Sequence, residues 1–189
     1  MSEIDTLFMV DGNEFDIDSH PSATGLSAII SPEIDVSWNV DVSAKEKEIE
    51  EEGYSRLVSP SLNLGELGMS SEIEKNTRFH WPHATCYQND GWIGSFYYSD
   101  AYYFECRLTL ERLAVDRFLL TMSGKVDFTN QHFEGGNFRP LEIRTPLKFF
   151  GIEVREYPEA EARKICSRYL DIEDLRWTTL ENGHNALLV

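Results

Sequence analysis

The clearest regularity in the chain is Ile34-Asp35-Val36-Ser37-Trp38-Asn39-Val40-Asp41-Val42-Ser43, where apolar and polar residues alternate at every step. A strand points successive side chains to opposite faces, so Ile34, Val36, Trp38, Val40 and Val42 share the inner one. Asp35, Ser37, Asn39 and Asp41 project from the other, as on a half-buried antiparallel strand with an acidic wet face. Trp38 is accordingly assigned to the core. The same period in residues 102–111 turns Tyr102, Phe104, Cys106, Leu108 and Leu110 inward.

From 77 to 156 the chain is dense in aromatic and β-branched residues. Residues 77–87, 92–98, 102–111, 117–122, 125–129, 141–144 and 147–155 read as strands. Ser99-Asp100, Ser123-Gly124 and Gly135-Gly136 supply turn chemistry between them. A helix is expected near 158–169. Pro158 suits its first turn, Glu159 and Glu161 its positive end, and Ala162, Ile165, Cys166 and Tyr169 form one apolar stripe. Glu181-Asn182-Gly183 predicts a terminal hairpin between residues 175–180 and 184–189. Residues 44–52 read as a short capped helix from Ser43 to Gly53, or as a mobile loop, since Ile49 is their one apolar anchor.

The expected fold is mainly β, at the margin of α+β: an antiparallel β-sandwich or strongly bent sheet with one C-terminal helix and a terminal hairpin. Residues 1–189 read as a single domain, with 44–76 a candidate mobile acidic loop or insertion. The composition agrees, because 41% hydrophobic and 12% aromatic residues can bury a sizeable core.

Charge changes the picture. The formal net charge is −16, from 17 basic and 33 acidic residues. Residues 1–52 hold fourteen of the acids and only Lys45 and Lys47 as bases. Nonspecific nucleic-acid or anionic-lipid binding is disfavoured, since phosphates are gripped by Lys and Arg. The opening residues lack the basic and apolar regions of a signal peptide, and no apolar run approaches the ~20 residues of a spanning helix. Cys86, Cys106 and Cys166 are an odd, widely spaced set, better suited to a reducing compartment than to a disulfide framework. A cytoplasmic location is expected.

Candidate chemistry is sparse. His80-Trp81-Pro82-His83-Ala84-Thr85-Cys86 carries zinc-type ligands. A strand, however, turns His80 and His83 to opposite faces, and His83 and Cys86 likewise. Convergence needs a bend at Pro82 and a distant fourth ligand such as His132, Glu134 or His184. Residues 11–18 look superficially like a calcium loop, but Gly12 stands second rather than sixth, so a turn between edge strands fits better. Residues 127–134 read as a solvated turn or a ligand loop. Gly91-Trp92-Ile93-Gly94-Ser95 is no nucleophile elbow, and Gly124-Lys125 is no phosphate loop. No cofactor is expected.

These readings favour a non-catalytic acidic protein that grips a basic protein, such as an inhibitor or immunity-type protein neutralising a cationic toxin. The contacts expected are Asp35, Asp41, Glu46, Glu48, Glu50, Glu51 and Glu52, with aromatic support from Trp92, Tyr97 and Tyr103. Three alternatives stand beside it. One is a carbohydrate- or small-ligand-binding sandwich that stacks its ligand on exposed Tyr and Trp. Another is a metal-dependent enzyme at His80, His83 and Cys86. The last is a subunit of a larger assembly.

Overall fold

The structure is a computed structural model that describes residues 5–20, 23–33, 37–51, 53–68, 84–85, 92–96, 99–127, 138–168 and 171–189. The strands are β1 Leu7–Val10, β2 Asn13–Glu14, β3 Gly25–Ile30, β4 Ser37–Ser43, β5 Lys47–Glu51, β6 Tyr54–Val58 and β7 Ser61–Gly68. They continue with β8 Ala84–Thr85, β9 Trp92–Phe96, β10 Ser99–Ala114, β11 Arg117–Asp127 and β12 Phe138–Val154. Helix α1 spans Glu159–Cys166, and β13 Arg176–Thr179 and β14 Asn185–Leu188 close the chain as a hairpin. The fold is thus mainly β with a short C-terminal helix.

The main sheet runs β7-β4-β3-β12-β11-β10-β8, with β1, β2, β9, β13 and β14 attached to it, while β5 and β6 pair separately. It is mixed rather than antiparallel, because β12 and β3 run parallel. Everything from β4 to β11 lies between them in sequence, which is ample chain for the crossover that parallel strands require.

β12 changes neighbours along its length. Residues 141–144 lie between β1 and β11, and residues 152–154 between β3 and β14. Leu141, Ile143, Leu147 and Phe149 are buried at odd positions, then Ile152 and Val154 at even ones. The phase changes at a register shift between Phe149 and Ile152 that contains Gly151 (φ 110°). This is a β-bulge, and the positive φ favours glycine there. It keeps apolar side chains on the core side in both neighbourhoods.

Phe149 joins the two parts of the core. Its ring lies 5.5 Å from Phe118 on β11 and 6.0 Å from Trp38 on β4. Trp38 is 1% exposed, as its place in the alternating run requires. Leu26, Ile30, Val40, Val42, Leu108, Leu110, Leu120 and Met122 complete the surrounding core.

Four sequence boundaries are corrected. Ser123-Gly124 makes no turn, since β11 runs through both in register with β12. Residues 141–155 are not two strands, because β12 passes through Thr145 and Pro146 without a break. Ser99-Asp100 opens β10 and pairs with Phe96 and Ser95 instead of turning. The helix ends at Cys166, with Ser167 as its C-cap, short of the 169 expected. Ala162, Ile165 and Cys166 are buried, as the stripe implied.

Candidate functional site

The acidic run begins where β4 leaves the main sheet. Ser43 is in register with Ser61, and the Ala44 amide donates to the Pro60 carbonyl at 2.9 Å. Pairing resumes at Lys47 opposite Val58. Lys45 and Glu46 therefore face Ser59 alone, and the extra residue is a bulge. β4–β5 and β6–β7 form one long hairpin with a step in it.

Of the two readings of residues 44–52, a capped helix or a mobile loop, the helix is overturned by the pairing of Lys47–Glu51 with β6. Glu and Lys favour helices in isolation, but partners on β6 and one buried anchor decide the conformation here. Gly53 (φ 82°) belongs to the hairpin turn instead of ending a helix. Ile49 is 7% exposed and Val58 fully buried.

The step sets the direction of the carboxylates. Trp38, Val40, Val42 and Ala44 point inward from even positions, and Ile49 from an odd one. An unbroken strand would have sent Glu46, Glu48 and Glu50 inward with the even set. The bulge reverses the phase, and all three are exposed. Glu48 accepts a hydrogen bond from the Ser55 hydroxyl across the hairpin. On their face the hairpin exposes Leu57 (50%), in register with Glu48, while Tyr54 (69%), in register with Glu51, is exposed on the opposite face next to the turn.

Asp41 lies on β4 on the face opposite Trp38, Val40 and Val42, and is half-buried. Glu51 lies on β5, and Trp92 of β9 stands in register with Tyr103 of β10. Asp35, Glu52, Tyr97, His80, His83 and Cys86 lie outside the described residues, as do His132 and Glu134. His184 is engaged elsewhere, with Nδ1 2.8 Å from Glu153 Oε1 on β12. Burial alone pushes the Glu153 carboxyl up, but hydrogen bonds from Arg155 and His184, with their charges, bring it below the usual glutamate value. Among the described residues no three His, Cys, Asp or Glu side chains gather as a metal site, and no helix is long and apolar enough to cross a membrane.

Sequence reasoning missed a cleft of about 620 Å³. Glu14, Asp16 and Asp116 line it together with Lys45, Arg117 and Lys148. None of its acids is among the partner contacts expected from the sequence, and Glu14 and Asp16 belong to the stretch 11–18 that reads as a turn. The signal available was faint: Thr145-Pro146 in the middle of an apolar strand pattern.

No known family, curated protein or solved structure matches the chain.

Proposed function

We propose that this chain is a non-catalytic binding protein that docks a basic protein on the tip of its β5–β6 hairpin, in the manner of an inhibitor or immunity-type protein acting on a cationic toxin in the cytoplasm. The supporting observation is the step at Lys45–Glu46, which turns Glu46, Glu48 and Glu50 to solvent on the face that also exposes Leu57, with Tyr54 exposed across the strand near the turn. Carboxylates steer a cationic partner and raise its encounter rate, while Tyr and an aliphatic neighbour supply area that can be dried on contact. The hairpin lies outside the main sheet, so occupying it need not disturb the core.

The test is photo-crosslinking in the source cell from a reactive residue at position 55, followed by association kinetics with the captured protein. A basic partner is expected, with an on-rate that falls as salt rises and drops several-fold in Glu48→Lys/Glu50→Lys. A partner without net positive charge, or an on-rate indifferent to the double reversal, overturns the reading.

A further inference from the structure

The cleft is a gap in the sheet. On one edge of β12, β1 covers residues 141–144 and β3 begins opposite Phe149. Among the described residues, Thr145, Pro146, Leu147 and Lys148 have no registered neighbour on that edge, and all four line the cleft. Thr6 and Thr24, the residues just before β1 and β3, form its two ends.

Hydrogen-bond parity shows what the gap offers. The Phe149 amide donates to Asp116 on the β11 side, whereas the Pro140 carbonyl accepts from Asp11 on the β1 side. Polar groups alternate along a strand, so even residues of β12 address the β1 side up to Lys148. The Lys148 amide and the Pro146 carbonyl therefore face the gap. Pro146 lacks an N–H, and it stands where no ladder partner would have received one. Four residues of strand span ~13 Å at about 3.3 Å each.

The walls are charged, and among the described residues Lys148 has only the ring of Phe150 beneath its ammonium, 5.8 Å from the centroid. Arg117 and Lys148 are directly opposite in the β11–β12 ladder, an arrangement that like charges disfavour. Among the described residues, neither they nor Lys45, Glu14, Asp16 and Asp116 form an ion pair. In an acidic protein, a slot lined by as many cations as anions is selective for a ligand that carries both.

We propose that this gap binds a short extended peptide segment bearing both signs of charge, which completes the sheet edge along Thr145–Lys148. Its backbone takes the Lys148 amide and Pro146 carbonyl, an acidic group bridges Arg117 and Lys148, and a basic group meets Asp16 or Glu14. This is strand addition confined to one short opening.

The experiment is an amide NMR titration with three acetylated, amidated tetrapeptides: Asp-Val-Thr-Lys, its backbone N-methylated form, and the uncharged Asn-Val-Thr-Gln. The first should shift the amides of Thr145, Leu147, Lys148 and Thr24. N-methylation and loss of charge should each weaken it about fivefold, the scale of one hydrogen bond or charged contact. Arg117→Glu, an exposed site, should weaken the first peptide and leave the uncharged one unchanged. Equal binding of all three peptides, shifts confined to other surfaces, or no shift at all overturns the proposal. So does binding that appears only once residues 1–4 are removed, because the chain before Leu7 would then be the occupant. These readouts are independent of the hairpin tip, so a failure here leaves the basic-partner reading standing.

Discussion

A β-carbon at Gly151 would lie 2.4 Å from the carbonyl oxygen of Leu187 on β14. The close approach and the positive φ together confine this position to glycine. Gly151→Ala is expected to cost about 2–4 kcal/mol, combining backbone strain with a clash that only the β12–β14 pairing can relieve. Gly53 and Gly183 share a positive φ, but nothing lies within 4 Å of a side chain there. Alanine at either should cost ~1 kcal/mol. Urea midpoints of the three variants give the ranking.

The contact of Phe149 with Trp38 and Phe118 predicts a second large effect. Phe149→Ala removes a ring that is 1% exposed and should cost about 3–5 kcal/mol, with a cavity left between β4 and β11. Phe149→Leu should recover more than half of that. Phe150→Ala, at a site 38% exposed, should cost far less. Equal losses at 149 and 150 would contradict the assignment of Phe149 as the joint of the core.

The step in the long hairpin makes a prediction about deletions. Ala44 and Ile49 are five positions apart, and the bulge absorbs the odd residue so that both point inward. Deleting Glu46 leaves an even spacing that an unbroken strand satisfies, and stability should change by less than ~1 kcal/mol. Deleting Lys45 and Glu46 together restores an odd spacing and turns Glu48 toward the core. The double deletion should cost at least about 2 kcal/mol more, as a carboxylate loses its water. Comparative urea melts decide between parity and simple loop shortening.

Glu153 predicts a pH dependence. Its folded-state pKa is lowered, so its contribution is present above the ordinary glutamate value and is lost as the pH falls through the depressed one. Glu153→Gln should lower stability near neutral pH by ~0.5 kcal/mol, in keeping with partly exposed partners, and the difference should vanish in acid. A wild-type advantage that persists or grows in acid would contradict the arrangement with Arg155 and His184.

Legibility in the sequence follows from how local each determinant is. Trp38 and its strand could be read because alternation is a property of neighbouring residues. Helix α1 could be read because its charges and apolar stripe lie within a few turns. β5 could not, since Glu46–Glu51 favours a helix until β6 is alongside. Nor could the continuity of β11 and β12, because Gly124 and Pro146 are turn residues by type. Pro146 is tolerated because the N–H it lacks would have faced the open edge, where no described ladder partner stands. The cleft was hidden for the same reason: it arises from where β1 stops and β3 starts, and those ends lie far from residues 145–148 along the chain.

The shared strand also fixes how that opening can behave. Both ends of the slot are notched into one uninterrupted backbone, like marks on a ruler, so its length cannot adjust to its contents. A guest must fit the spacing it finds, and selectivity by size is built in before any side chain is consulted.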